Sequence, residues 1–304
     1  MKTRAFAKIN LTLEVLGIRP DGYHDLRSVV EPVSLADVIE IEPRRDGRIT
    51  VETVSGGAVA LDALDARPEK NLAWRAADSL RRHAGKPDAG ADIFITKHIP
   101  LGGGLGGGSA DAAAVLNALS VLWGLDLPVQ TLAEIGAETG SDVPALVFGR
   151  TVPMEGRGER VSSWPAETPD LPVWHFVLAN PGIHSSTPAV FKEADCTSRL
   201  TSAGEITDNM RLAFSSGDPR LLAAAMQNDL TVPAQRLYPR IAEAAAALLE
   251  AGAMNAVLTG SGSTVAGVVR DAAEGEAVCR KIPGGFRAVC VSSARWCNGQ
   301  HSGF

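Results

Sequence analysis

Pro100-Leu-Gly-Gly-Gly-Leu-Gly-Gly-Gly-Ser-Ala-Asp111 carries six glycines in seven residues, interrupted only by Leu105. Ser109 is the first side chain there able to do chemistry, so the stretch offers bare backbone. Glycine takes positive φ without a Cβ penalty, which lets successive N–H groups turn toward one point. So many free glycines cost chain entropy, which argues against a plain connector. Ahead of them, residues 91–99 are β-rich and predict a strand. Behind them, residues 110–123 are rich in Ala, Leu and Val and predict a helix with Ser109 as its N-cap. A strand, a glycine loop and a helix N-terminus together form an anion site, because unpaired N–H groups and the positive dipole end face the same ligand.

Two common phosphate loops fit poorly. A Walker A loop ends in Gly-Lys-Ser/Thr, and no lysine precedes Ser109. A G-x-G-x-x-G can be traced from Gly102 to Gly107, but in a glycine run that match is nearly automatic. The reading is therefore a phosphate cradle of another kind.

Composition bounds the rest. The 304 residues are enough for two domains, and 45% are hydrophobic, which supports a sizeable core. The net charge of −6, with no basic block, argues against nucleic acid as a partner. Cys196, Cys279, Cys290 and Cys297 form no C-x-x-C, and the six histidines show no ligand spacing, so neither structural zinc nor a disulfide scaffold is expected. The start lacks an apolar signal region and no run of 18 apolar residues occurs, which predicts a cytoplasmic protein without a membrane partner.

Along the chain, residues 5–15 alternate strictly and predict a half-buried strand with Lys8 and Asn10 side by side on its second face. Read alone, that face is simply solvated. Arg19-Pro-Asp-Gly22 is a turn signal, followed by Tyr23 and His24. Strands are expected at 29–33, 38–42 and 49–53, and a variable hairpin over 46–67. Asn71 can cap a helix that begins Leu72-Ala-Trp-Arg. A short helix is expected over 130–139, and Asp142 reads as the N-cap of another over 144–148. The crossover between domains is expected within 150–172, then a strand over 174–178 and a loop over 180–188. Phe191, taken alone, reads as core. Helices follow at 219–226 and 241–251, the second closed by Gly252. Residues 256–269 read as strand, tight loop, strand, with Gly260 and Gly262 in the loop. A helix over 272–281, a strand over 286–292 and a loose tail over 295–304 complete the chain.

Taken in order, Ala7-Lys-Ile-Asn-Leu11, the glycine loop, Gly140-Ser-Asp-Val-Pro144, Pro181 to Lys192 and Thr259-Gly-Ser-Gly-Ser263 resemble the motifs of the GHMP kinase superfamily, which phosphorylates small alcohols. The resemblance runs over roughly residues 5–292. Arg19-Pro-Asp-Gly-Tyr-His24 is similar to the motif of the branch that acts on 4-diphosphocytidyl-2-C-methyl-D-erythritol. The resemblance implies an α+β fold of two domains. Residues 1–158 would form an ATP-binding, catalytic α/β domain like domain 2 of ribosomal protein S5. Residues 159–304 would form a ferredoxin-like substrate domain.

The implied reaction moves the γ-phosphoryl of ATP to the 2-hydroxyl of that substrate, within non-mevalonate isoprenoid synthesis. Asp142 is implied as general base and Lys8 as its electrostatic partner. The nucleotide would lie on Asn71, Leu72, Pro100, Gly102, Gly103, Gly104, Leu105, Gly106, Gly107, Gly108, Ser109 and Ala110. The substrate would meet Asn10, Tyr23, His24, Asp142, Thr187, Phe191, Gly260 and Gly262, with the ring of Phe191 opposite Tyr23 across the cytosine. Mg²⁺ is implied, with Ser109 as its protein contact, and a monomer or weak homodimer is expected. Ala110 departs from the second serine common in the family. Asp111 either points away from the phosphates or joins the metal shell. Two rivals stand beside this reading: a homoserine- or mevalonate-type kinase, and a non-catalytic nucleotide-binding protein on the same fold.

Overall fold

The computed structural model describes residues 1–57, 59–61, 67–162, 171–195 and 205–296. In chain order the elements are β1 (Lys2–Ile18), β2 (His24–Arg44), β3 (Ile49–Ser55), α1 (Leu72–His83), β4 (Gly90–Lys97), α2 (Gly107–Leu122), α3 (Val129–Ala137), α4 (Val143–Val147), β5 (Val152–Gly156), β6 (Arg160–Val161) and β7 (His175–Asn180). They continue as α5 (Thr187–Asp195), α6 (Glu205–Ser216), α7 (Pro219–Ala225), β8 (Gln227–Asn228), α8 (Thr231–Leu237), α9 (Pro239–Ala251), β9 (Val257–Leu258), β10 (Val265–Val269), α10 (Ala272–Lys281) and β11 (Arg287–Ser292). The expected α+β class holds.

One sheet runs β3-β4-β2-β1-β8, with β5 also on β2 and β6 on β5. The other runs β11-β7-β10-β9 and is antiparallel throughout. β8, from late in the chain, pairs in parallel with the middle of β1 through Thr12 and Leu13 and so ties the second half of the sequence to the first sheet. The division expected after residue 158 falls in the turn between β5 and β6, both strands of the first sheet.

Several expectations change. β1 is not half-buried: Lys8, Asn10, Thr12 and Glu14 are as buried as the apolar residues between them. Alternation signalled the strand, but its polar face is covered by protein rather than by water, Lys8 by Gly106 of the glycine loop and Asn10 by Thr259 and Gly260. The two strands expected at 29–33 and 38–42 are one strand, β2, whose pairing with β1 shifts register between Phe6–Ala36 and Lys8–Pro32. A bulge there accommodates Pro32, which cannot donate to a ladder. The hairpin expected over 46–67 is instead an edge strand, β3, parallel to β4; residues 58 and 62–66 of that stretch lie outside the described residues. The expected tail is anchored at its start. The Arg295 guanidinium donates to Leu171 O at 2.7 Å and Pro172 O at 3.1 Å, and Trp296 N donates to Gly149 O at 2.9 Å. Residues 297–304, Cys196 and part of the expected crossover, 163–170, lie outside the described residues. Cys279 and Cys290 are free thiols.

The core explains why α2 shows no polar stripe. Nearly every residue from Ala110 to Ser120 is buried, against Ile9, Leu11, Ile93 and Ile95 of the sheet on one side and α1 and α4 on others. A helix enclosed all round needs no amphipathic period. Each fully buried Leu or Ile there contributes roughly 1.5–3 kcal/mol. The result is a rigid mount for the glycine loop at the N-terminus of α2.

Candidate active site

The glycine loop links β4 to α2 and is anchored on both sides. Lys8 N donates to Leu105 O at 3.0 Å, and Thr264 N donates to Gly103 O at 3.1 Å. The helix starts three residues earlier than predicted. Gly106, at φ +67°, is its N-cap, and Ser109 sits inside the first turn rather than capping it. A left-handed residue at 106 closes the loop directly onto the helix, which glycine allows without strain. Ala110 N already bonds Gly106 O at 2.8 Å. The N–H groups just before it therefore have no acceptor within the helix, and they stand at its positive end.

The loop is not a uniform cradle. Gly102 packs on the His184 ring, Gly103 on Asn180 and Thr264, and Pro100 lines a cleft of about 180 Å³ with Asn180 and Arg287. Leu105 and Ala110 are buried in the core. A Cβ on Gly104 would lie 2.3 Å from Thr259 O, so that glycine serves close packing against the Thr259–Ser263 turn. Gly106 and Gly108 face Lys8 and Leu72, and Gly107 packs on Ile99 with Lys97 next to it.

Lys8 Nζ lies 3.5 Å from Asp142 Oδ2 and donates to Asn10 Oδ1 at 2.6 Å. Lys8 is only 3% exposed, whereas the Asp142 side chain is 30% exposed. Asp142 does occupy the N-cap position of α4, but its carboxylate makes no capping bond. The expected cap is thus positional only, and the oxygens remain available to the cleft. A Cβ on Gly106 would sit 3.0 Å from Lys8 Cγ and 3.6 Å from Asp142 Oδ2, so loop, ammonium and carboxylate meet at one point. Ser109 Oγ is nearby, 3.7 Å from where a Cβ on Gly140 would lie.

Asn10 is spent within the protein. Its Oδ1 also accepts from Gly260 N at 2.9 Å, its Nδ2 donates to Ser28 Oγ at 2.8 Å, and its N–H donates to Thr259 Oγ1 at 3.1 Å. It therefore fixes Lys8 and the Thr259–Ser263 turn, and it also lines the cavity beside Lys8 and Asp142, where the sequence led us to expect a group that orients substrate.

A cavity of about 540 Å³ opens beside Lys8 and Asp142, also lined by Tyr23, His24, Thr187, Phe191 and Gly260. Thr187 Oγ1 is 2.7 Å from Ser261 Oγ. Gly262 lies behind, against Leu258 and Ile241, and does not line this cavity. Phe191 is on α5, and its ring stacks on His24 at 4.6 Å between centroids. His24 Nε2 is 2.7 Å from Asp195 Oδ1. The face of Tyr23 is covered instead by the Arg157 guanidinium, 3.6 Å from the ring centroid. Tyr23 and Phe191, expected on opposite sides of the cytosine, both line this cavity, each with its own stacking partner. The sequence reading missed Arg157 and Ser141 in this cavity; an arginine flanked by Gly156 and Gly158, and a serine beside Asp142, were the available signals.

A second cavity, of about 400 Å³, lies on the other side of the glycine loop and is lined by Asn71, Leu72, Lys97, Leu101, Gly108 and Asp111 among others. Asn71 caps α1 by accepting from Ala73 N at 2.9 Å. Asp111 points into the protein: its Oδ2 accepts from Lys97 Nζ at 2.6 Å, and Lys97 also pairs with Asp37. Asp37 Oδ1 in turn accepts from Ile99 N at 2.8 Å, at the entry to the loop. Burial pushes the Asp111 carboxyl well above the usual range, because one ammonium serves two carboxylates and Lys97 offsets only part of it. For Lys97, burial works toward neutrality, but Asp111 and Asp37 outweigh it and raise its pKa. The triad binds the strand before the loop to the helix after it. Among the described residues no cluster of three or more His, Cys, Asp or Glu is placed to hold a metal ion, and no helix is long and apolar enough to cross a membrane.

Comparison with known proteins gives two family matches. The GHMP kinases N terminal domain matches residues 71–150, and the GHMP kinases C terminal domain matches residues 210–288. A 4-diphosphocytidyl-2-C-methyl-D-erythritol kinase of Kineococcus radiotolerans is 44% identical over 278 residues, covering 89% of this chain and 82% of the relative. That of Salinispora arenicola is 41% identical over 289 residues, covering 92% and 87%. A crystal structure of 4-(cytidine 5'-diphospho)-2C-methyl-D-erythritol kinase superposes with a TM-score of 0.74 at 30% identity, over 97% of this chain and 99% of that one. A homoserine kinase from Cytophaga hutchinsonii reaches the same TM-score of 0.74 at 17% identity, over 97% and 94%, a likeness of fold alone.

Proposed function

The chain belongs to the GHMP kinase family, and on that premise we propose that it transfers the γ-phosphoryl group of ATP to the 2-hydroxyl of 4-diphosphocytidyl-2-C-methyl-D-erythritol, a step of non-mevalonate isoprenoid synthesis. The observation that carries the mechanism is the meeting of Lys8, Asp142 and Gly106 at one point, with Lys8 Nζ 3.5 Å from Asp142 Oδ2. Phosphoryl transfer develops charge on peripheral oxygens, so the protein's part is largely placement and electrostatics. Asp142 takes the proton from the attacking hydroxyl. Lys8, fixed by Asn10, holds that carboxylate in place and offers positive charge to the group in transit. Asn10 is a positioning residue in this scheme.

The nucleotide fits the cavity of about 400 Å³, with its phosphates on the free N–H groups of the first turn of α2 and Asn71 and Leu72 at the nucleoside. That volume lies within the usual range for ligand sites. The residues present also fit Mg²⁺, a hard cation that prefers oxygen. Ser109 would supply a hydroxyl, and with no carboxylate cluster among the described residues the remaining donors would be phosphate and water. The ion would neutralise phosphate charge. Asp111, engaged with Lys97, is left out of that shell. Tyr23, His24, Thr187 and Phe191 receive the cytidine half in the cavity of about 540 Å³.

A coupled assay of ADP release tests the reading. Turnover is expected with the diphosphocytidyl alcohol and Mg-ATP, and none with homoserine or mevalonate. Turnover with either of those and not with the cytidyl alcohol would overturn the substrate assignment.

A further inference from the structure

We infer that Arg157 is the group that recognises the diphosphate of the substrate, and that it sets the preference for a nucleoside diphosphate over a nucleoside; this inference rests on the function proposed above. Three arginines crowd this end of the cleft, and two are committed. Arg19 reaches Asp21 at 3.4 Å and Asp25 at 3.5 Å. Arg160 reaches Asp25, Glu155 and Glu159, each at 3.8 Å. Arg157 differs. Among the described residues no carboxylate comes within 4.0 Å of its guanidinium, although its charge does help hold the Asp21 carboxyl below the usual range, behind the Tyr23 N–H and Arg19. The Arg157 guanidinium lies flat over Tyr23 inside the cavity that also holds Lys8 and Asp142.

Its backbone is held for this placement. Arg157 N donates to Glu159 Oε2 at 2.6 Å. Gly158 follows at φ +116°, where a Cβ would lie 2.1 Å from Ser141 O. The hairpin tip therefore rests on the residue just before Asp142, and Arg157 spans from the Tyr23 ring to the Ser141–Asp142 segment. The substrate has the same order: an aromatic base, then two phosphates, then the alcohol. With the base toward Tyr23 and His24, and the hydroxyl at Asp142, the diphosphate passes Arg157. A guanidinium can stack on an aromatic face while its N–H fork takes phosphate oxygens.

Calorimetric binding of cytidine and of CDP, with steady-state kinetics, tests this on the full chain. Wild-type protein is expected to bind CDP more tightly than cytidine. Arg157→Met is expected to lose about 10- to 100-fold in CDP affinity, the scale of a charge-assisted contact, with cytidine affinity unchanged. Its KM for the cytidyl alcohol should rise correspondingly, with kcat and KM for ATP held, and the latter also reports an intact fold. Arg157→Lys, which keeps the charge but loses the planar fork and the stack on Tyr23, should restore only part of the CDP preference. Equal losses for CDP and cytidine would mean that Arg157 merely supports Tyr23, and unchanged CDP binding would remove it from recognition; either result overturns the inference. Wild-type protein that binds neither ligand would instead overturn the cytidyl-kinase reading on which it rests.

Discussion

Asp142 holds a helix-capping position without capping, and that makes it separable by mutation. Because its carboxylate carries no N–H of α4, Asp142→Asn leaves the helix its backbone and removes only the negative charge facing Lys8. We expect kcat to fall by about 10²- to 10⁴-fold, the usual worth of a general base, with ATP affinity nearly unchanged. Retained turnover would take Asp142 out of the reaction. Tyr23 lends itself to the same kind of test. It is 53% exposed and, among the described residues, stacks on Arg157 alone, so truncating it disturbs no core. Tyr23→Ala should raise KM for the cytidyl alcohol by about 5- to 100-fold, as for loss of one base-stacking aromatic, and leave KM for ATP alone. A selective change in ATP kinetics would reverse the assignment of the two cavities.

The glycine loop shows what a single element discloses in sequence and what it conceals. Its place between a strand and a helix was legible, because six glycines between a β-rich segment and an alanine-rich one leave few alternatives. The division of labour within it was not, because a glycine needed for close packing looks the same in sequence as one needed by a ligand. Gly104 is of the first kind: at φ +76°, with Thr259 O in the way of a Cβ, it joins the loop to a turn more than a hundred residues later. Gly104→Ala should therefore destabilise the fold by roughly 1–3 kcal/mol and weaken ATP binding. Gly108→Ala, where a Cβ would meet only Leu72 at 3.4 Å, should be near neutral for stability. Equal melting points for the two variants would refute that division. The same blindness to distant partners hid the burial of the polar face of β1, since only the fold brings Thr259 and Gly260 over Asn10. It hid Asp37 as well, which looks like an ordinary strand-edge carboxylate until Lys97 and the loop entry close on it. Lys8, Asn10 and Asp142 stood out because their motifs are local.

At the scale of the whole molecule the two sheets are fastened by the segment after β11, and one buried acid lies at the fastening. Val33 bridges Ser293, Ala294 N donates to Pro32 O at 2.8 Å, and Trp296 N donates to Gly149 O at 2.9 Å. Glu31, 1% exposed, sits beneath this seam and accepts a hydrogen bond from the Thr151 hydroxyl. Burial raises its pKa to about 7, and the hydroxyls of Ser293 and Thr151, with the Arg295 charge, offset only part of that. The folded protein thus keeps a proton on Glu31 up to about pH 7, whereas the unfolded chain releases it near the ordinary value of 4.5. Between those two values the folded state binds more protons, so this group's contribution to stability falls as pH rises and levels off above about 7. The full difference is on the order of 3 kcal/mol. Glu31→Gln keeps an acceptor for Thr151 and cannot ionise. Any fixed change from its new amide appears at every pH, so the informative quantity is the gap in urea midpoint between variant and wild type. That gap should shift in the variant's favour from about pH 5 to about pH 8, by an amount that reflects the lost titration. A gap that stays constant over this range would show that Glu31 ionises alike in the folded and unfolded chain, and that the seam between the sheets carries no buried proton.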